Sequence, residues 1–228
     1  MSNSHPVKLS PISAPGATLA EYDGWRVAER FTTVEAEMEA AKRSVALSDL
    51  SARGKILIQG REAPAVLQQA FGSAPSKVGE VGQVEGGLLA CLTRDEWYLV
   101  TPVGGEARAL ERIDSAIAAS GVFAHATDLT HARGAMMLAG PHSREVLAKL
   151  CGLDFHASVF PNRTAAQSGL AKVAALIVRD DLAAGSVLAY QIHVNRSEAD
   201  YVWGAMLDAA SEFGGQPVGV AAMAALAA

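Results

Sequence analysis

Apolar and polar positions follow one another in two similar series along the chain, and each series predicts an α/β unit. Short apolar runs predict strands, whereas apolar residues three and four positions apart predict helices. Gly72 and Gly121 each follow a helical pattern and suit its end, because glycine readily adopts the left-handed conformation found there. The first series predicts a strand at 55–59, a helix at 60–71, a strand pair at 88–92 and 97–101, a helix at 107–120 and a strand at 122–127.

The second series continues in the same order. Ser197 is expected to cap its last helix, and His193 is expected to point outward because it lies in an apolar/polar alternation. The predicted elements are a strand at 135–139, a helix at 141–152, a hairpin of 172–178 with 187–194, and a helix at 197–213. The order βαββαβ is that of the ferredoxin-like unit.

A further helix is predicted ahead of both series, at 32–44. Thr32 and Glu35 suit a capping box, and its acidic residues come early and its basic residues late, as the helix dipole favours. The segment 1–30 is predicted to be an extended arm rather than core, because proline and glycine punctuate its first half.

The two series also share a motif. Residues 48–54 read SDLSARG and residues 127–134 read TDLTHARG, so His131 is a one-residue insertion in the second copy. The match continues at a constant offset, with Gly60 corresponding to Gly140. Two copies are too few for a solenoid and indicate a duplication. We therefore predict an α+β fold of two duplicated ferredoxin-like (βαββαβ) units related by pseudo-twofold symmetry. The predicted division is an arm at 1–30, a helix with the first repeat at 31–121, and the second repeat at 122–228.

Composition narrows the function classes. Half of the residues are hydrophobic and only 19% are charged, so part of the surface is expected to be buried against a partner. The formal net charge of −5, without clustered Lys and Arg, gives no reason to expect nucleic acid. The N-terminus lacks the pattern of a signal peptide and the apolar run 218–228 is too short to span a bilayer, so a cytoplasmic protein off the membrane is expected.

Metal chemistry has no support in the sequence. Cys91 and Cys151 are isolated among apolar residues and suit small buried side chains, and no CxxC or Cys/His cluster occurs. The six histidines show no ligand spacing. No metal site is expected.

The arginine of the repeated motif is the best candidate for ligand binding. Arg53 and Arg133 could each clamp a carboxylate, or could bridge to Asp49 and Asp128, and the bridge is favoured. The acidic pairs 95–96 and 180–181 allow acid–base chemistry, but their equivalent places at predicted hairpin tips favour solvated turns. No complete nucleotide-binding or nucleophile motif is present.

Several of these segments resemble a known superfamily. Residues 45–51, 55–60 and 138–141 resemble the aminomethyltransferase (glycine-cleavage T-protein) superfamily, which binds tetrahydrofolate and passes one-carbon units. The second half is similar to the gamma-subunit family of heterotetrameric sarcosine oxidase. The matching stretches of that half are Asp128–Thr130, Gly140-Pro141, Leu153–His156, Phe160-Pro161, Asn195–Ser197 and Trp203.

The sequence also departs from T-proteins. Their acidic residues after a Gly-Gly are replaced by Leu88 and its apolar neighbours, and the glutamate that holds the pterin after an arginine is missing after Arg179. The C-terminal barrel of T-proteins has no counterpart. A buried carboxylate that pairs with a pterin cannot be lost without leaving those groups unpaired. The isolated chain is therefore not expected to be catalytic, and no catalytic residue is assigned.

The resemblance implies a noncatalytic accessory subunit in a flavin-dependent, tetrahydrofolate-linked oxidase or dehydrogenase of sarcosine or another N-methyl amine. Its partners would be larger flavoprotein subunits, with FAD or FMN and tetrahydrofolate held in the complex. Arg53 and Arg133, at the interface of the repeats, are the predicted cofactor-binding residues if folate touches this chain. The alternatives are a stand-alone tetrahydrofolate-binding aminomethyltransferase-like protein and a small-molecule sensor.

Overall fold

The computed structural model describes residues 6–227, which form six α-helices and three β-sheets. The strands are β1 Lys8–Leu9, β2 Thr18–Tyr22, β3 Trp25–Arg30, β4 Ala46–Asp49, β5 Arg53–Gln59, β6 Val81–Val84, β7 Gly87–Cys91, β8 Glu96–Val103, β9 His125–Asp128, β10 Arg133–Ala139, β11 Ala165–Leu170, β12 Val173–Arg179, β13 Ala189–Asn195 and β14 Gln216–Pro217. The helices are α1 Val34–Arg43, α2 Ala63–Phe71, α3 Glu106–Ser120, α4 Ser143–Leu150, α5 Ala199–Ser211 and α6 Val220–Ala227.

Two sheets pack face to face, and helices cover their outer faces. The first sheet has the antiparallel order β6-β7-β8-β5-β9, and α2 and α3 pack on it around Leu89. The second has the order β11-β12-β13-β10-β4-β14, with α4 and α5 packed around Ile192. The inner faces meet in an apolar cluster that includes Leu88 and Leu176. This arrangement confirms the predicted α+β fold with ferredoxin-like strand order.

The two sheets exchange one strand. β9 precedes β10 in the chain but pairs with β5 in the first sheet, while β4 precedes β5 but pairs with β10 in the second. Because β4 and β9 carry the repeated motif, the exchange relates the two units as a pseudo-twofold pair. The division of the chain at residue 121 stays a prediction. Each sheet contains one strand from the other side of this division, β9 in the first sheet and β4 in the second.

The aspartates of the repeated motif form turns at the two points where the chain passes from one sheet to the other. Asp49 Oδ1 accepts the Ser51 backbone N–H at 2.8 Å, and Asp128 Oδ1 accepts the Thr130 backbone N–H at 2.8 Å. These are Asx turns, in which a short carboxylate replaces a backbone acceptor. The aspartates of the repeat are therefore engaged by their own loops.

The prediction of an extended N-terminal arm at 1–30 is wrong for residues 6–30. Residues 1–5 lie outside the residues that the structure describes. β2 and β3 form an antiparallel hairpin, and β1 runs parallel to β3. Trp25 is fully buried and its ring stacks on His131, with centroids 4.8 Å apart. Proline spacing signalled only the first half of the segment, whereas the apolar alternation of β3 allows it to pack on the core.

Several local predictions also need correction. Thr33, not Thr32, caps α1 by accepting the Ala36 N–H, so the predicted capping box is wrong. Ser197 lies in a short 3₁₀ turn ahead of α5 and does not cap that helix. The strand β6 lies between the predicted helix 60–71 and the predicted strand 88–92, where no element was predicted. The predicted helix ends at Gly72 and Gly121 are confirmed, because both residues adopt the left-handed conformation.

His193 does not point outward as predicted. It lies on the inner face of β13, is 1% exposed, and meets the Tyr98 ring of the first sheet edge-on. The apolar/polar alternation identified two faces of the strand correctly. The polar face is buried because a second sheet covers it, which a single strand pattern does not reveal.

Candidate functional site

Two cavities open between the sheets. Cavity A, of about 450 Å³, is lined by inner-face residues of the first sheet and by α6, with Leu88, Val100 and Met223 among its apolar walls. Its charged side chains are Asp49 and Arg53, on either side of the turn between β4 and β5, and Asp180, which follows β12. A cavity of this size, mostly apolar with a few convergent polar groups, has the features of a small-molecule site.

Asp180 and Arg53 face each other across cavity A. Burial raises the pKa of the Asp180 carboxyl, while the Arg163 guanidinium, 3.3 Å away, and a hydrogen bond from Gln191 at 3.1 Å oppose that rise. Burial lowers the pKa of Arg53, and the charge of Asp180 opposes this effect. Gln191 Oε1 is buried without a partner among residues 6–227. Cavity A therefore offers both acceptors and a donor to a ligand.

Asp181 forms the strongest ion pair of this region. Its carboxylate accepts from Arg179 Nε at 3.0 Å and Arg179 Nη2 at 2.7 Å, a bidentate arrangement that is almost fully buried. The prediction of a solvated turn at 180–181 is wrong, because both acids lie against buried partners. For the pair 95–96, the prediction of a solvated turn is confirmed at Asp95, which is exposed.

Lys55 is a buried charge that the sequence reasoning missed. Its side chain is inaccessible, and Nζ donates to the backbone carbonyls of Ser51 at 2.8 Å and Arg53 at 2.7 Å. Burial lowers its pKa to about 8, against the attraction of Asp49 and Asp128. The sequence contains a signal of this burial, because Lys55 is the first residue of an otherwise apolar run that is predicted to be a strand.

Arg133 lies in a separate cavity. Cavity B, of about 580 Å³, is lined by Arg133, His193, Tyr98, Glu96 and Lys172 together with apolar residues of both sheets. The structure therefore places the two predicted site residues in different cavities, Arg53 in cavity A and Arg133 in cavity B.

The favoured bridges from these arginines are absent. Within residues 6–227, neither Arg53 nor Arg133 has a guanidinium nitrogen within 4.0 Å of a carboxylate oxygen, so the predicted pairs with Asp49 and Asp128 do not form. The aspartates instead close their own Asx turns. Both arginines are left available to a ligand in their cavities.

The described part of the chain offers no grouping of three or more His, Cys, Asp or Glu side chains that could hold a metal ion. Over the same residues, no helix combines the length and apolar character needed to cross a membrane. Cys91 and Cys151 are buried and unpaired with each other, as predicted.

Comparison with known proteins decides the family. The model of the GCVT N-terminal domain matches residues 10–228. The chain belongs to this family. It is 26% identical over 220 residues to an aminomethyltransferase of Halothermothrix orenii, covering 91% of this chain and 59% of that one. It is also 26% identical over 222 residues to human mitochondrial dimethylglycine dehydrogenase, covering 93% of this chain and 25% of that one.

Solved structures support the same assignment. A chain of the heterotetrameric sarcosine oxidase from Corynebacterium sp. U-96 superposes on this GCVT domain with a TM-score of 0.65 and 26% identity, covering 78% of this chain and 91% of that one. Aminomethyltransferase T from Bartonella henselae superposes with a TM-score of 0.78 and 19% identity, covering 96% and 62%, and shows the shared fold. The chain spans less than two thirds of the curated relatives given above.

Proposed function

We propose that this GCVT-family chain is a noncatalytic accessory subunit, of the sarcosine oxidase gamma kind, in a flavin-dependent, tetrahydrofolate-linked N-methyl amine oxidase or dehydrogenase. The observation that carries the proposal is the match to a chain of a heterotetrameric sarcosine oxidase. That chain is 26% identical to this one and aligns with it over 91% of its own length, with a TM-score of 0.65.

In the proposed heterotetrameric complex, the chemistry belongs to other chains. A flavin held by a larger, cytoplasmic flavoprotein partner would oxidise the N-methyl group, and tetrahydrofolate would accept the one-carbon unit. This chain would pack against those subunits and wall the space between their sites. The inner strand after Gly86-Gly87 supports a noncatalytic role, because Leu88 and Leu89 are buried apolar residues with no acid among them.

The second candidate is a stand-alone tetrahydrofolate-binding protein, and cavity A favours it. Its volume lies within the usual range for small-molecule sites, about 300–1,000 Å³. Asp180 would accept hydrogen bonds from the N–H edge of a pterin, and Arg53 would pair with an acidic tail. The residues present therefore suit tetrahydrofolate, which supplies a one-carbon acceptor when bound.

Purification from the native host separates the two candidates. A chromosomally tagged chain should elute with larger chains that carry flavin absorbance, and mass spectrometry should identify those chains as flavoproteins. Elution as a colourless monomer that binds tetrahydrofolate at micromolar concentration would contradict the accessory role and support the second candidate. Arg53→Met should then weaken folate binding, whereas Arg133→Met, in the other cavity, serves as the matched control.

A further inference from the structure

Cavity B contains a hydrogen-bond donor that the fold leaves unused. His193 lines the cavity, is 1% exposed, and its Nδ1 lies 3.5 Å from the Tyr98 hydroxyl. We assign the Tyr98 hydroxyl as the donor to Nδ1, which leaves the ring proton on Nε2 in the neutral tautomer. Nε2 has no partner among residues 6–227. A buried N–H without an acceptor costs free energy, which a bound acceptor would recover.

Arg133 lies beside this donor. Arg133 pairs with Asn195 and Ala135 pairs with His193 across the β10–β13 ladder, so Arg133 and His193 lie on the same face as diagonal neighbours. The guanidinium has no carboxylate partner in the described chain. Burial, Lys55, Arg53 and the charge of Arg133 together lower the pKa of His193, while the Arg133 charge opposes the rise that burial causes in the pKa of Tyr98. Two donors thus converge where the local potential is positive.

Lys172 adds a second cation to the wall of cavity B. It follows Ala171 at the tip of the β11–β12 hairpin, and both residues have positive φ, 48° and 69°. Non-glycine residues rarely adopt this conformation, so the turn holds an exposed lysine in an uncommon backbone geometry. Glu96 is the one acid among the lining residues, and its Oε1 already accepts a hydrogen bond from Gln59 at 2.6 Å.

Apart from Gln167, Ser168 and Gly169, the rest of the lining is apolar. Leu57, Leu129 and Leu176 come from three different strands or turns, and the volume of about 580 Å³ exceeds what an inorganic anion needs. The geometry points to cavity B as a binding site for a small carboxylate with an apolar body, whose carboxylate pairs with Arg133 and His193 and whose body packs on the leucines. This site is distinct from cavity A and does not depend on the proposed function.

Calorimetry on the full chain tests this site with octanoate as the probe. Octanol, a neutral molecule with a hydrocarbon chain of the same length, serves as the comparison. Octanoate should bind saturably and about tenfold or more tightly than octanol, because its carboxylate forms charged hydrogen bonds that a neutral hydroxyl cannot form. Arg133→Met should reduce octanoate affinity by about tenfold, and Lys172→Ala, an exposed change that leaves the core intact, by about threefold. The His193 ring resonances should shift on binding.

Arg53→Met is the matched control, because it removes the repeat-equivalent arginine from cavity A. Since Arg53 contacts no part of cavity B and only its charge reaches His193, this variant should change octanoate affinity by less than about twofold. Equal binding of octanol would show an apolar void without carboxylate recognition and overturn the inference. The inference would also be overturned if Arg53→Met reduced octanoate affinity as much as Arg133→Met does. Tight binding of inorganic phosphate that depends on Arg133 would overturn it too, as would the absence of any saturable octanoate binding.

Discussion

The Thr130 hydroxyl accepts a hydrogen bond from the backbone N–H of Lys55 at 3.0 Å. The repeat-equivalent contact joins the Ser51 hydroxyl to the backbone N–H of Ala135 at 3.1 Å. Each hydroxyl of the repeated motif therefore satisfies the first strand of the other unit, at the point where the sheets exchange strands. The motif that revealed the duplication is thus primarily a structural joint, and its arginines also line the cavities, together with Asp49 and Leu129.

Replacing Thr130 by Val is expected to destabilise the fold by about 1–3 kcal/mol. The substitution keeps the shape of the side chain but leaves the buried Lys55 N–H without an acceptor. Urea unfolding monitored by circular dichroism measures the change. Thr127→Val, at an exposed position of β9, should stay within about 0.5 kcal/mol of the wild type. Equal urea midpoints for the two variants would contradict a structural role for the hydrogen bond between Thr130 and Lys55.

Arg179→Met is expected to cost about 3–5 kcal/mol, because it leaves the Asp181 carboxylate buried without its bidentate partner. The repeat offers a matched control in Arg94, which is exposed at the equivalent turn. Arg94→Met should change the free energy of unfolding by less than about 0.5 kcal/mol. A small effect at both positions would show that the buried pair is not needed for the fold.

His193 should make stability depend on acid. Burial, together with the nearby Lys55, Arg53 and Arg133, lowers its folded pKa to about 3, from an unfolded value of 6.5. Between these values the unfolded chain binds a proton that the folded chain does not, so the histidine's contribution falls as pH falls from 6.5 toward 3.

His193→Gln removes this contribution. The free energy of unfolding of the wild type, measured in urea from pH 7 to pH 4, should fall more steeply than that of the variant. The expected difference in slope is up to about 1.4 kcal/mol per pH unit. Parallel curves would show that His193 titrates normally.

Lys55 should produce a second window of pH-dependent stability, at alkaline pH. Its folded pKa of about 8 lies below the unfolded value of 10.5, so between these values the unfolded chain binds the extra proton. The free energy of unfolding should therefore rise as pH increases from 8 to 10.5. Unfolding curves of Lys55→Met should lack this rise, and those of the exposed-site control Lys77→Met should keep it.

Local patterns in the sequence determined much of the fold. Periodicity located both βαββα series, the hairpins β7–β8 and β12–β13, and the helix ends at Gly72 and Gly121. These features depend on interactions between residues close in the chain, so a window of a few residues contains their cause. The repeat in turn indicated the duplication and the superfamily.

Tertiary structure alone decided where the polar residues lie. Whether the polar face of β13 meets water or another sheet depends on residues about a hundred positions away, so His193 was misplaced and Asp180 was taken for a solvated turn. The strand exchange likewise separated Arg53 from Arg133, which sequence equivalence had placed together. Burial and charge pairing are properties of distant segments brought into contact, and a one-dimensional pattern records only one side of each contact.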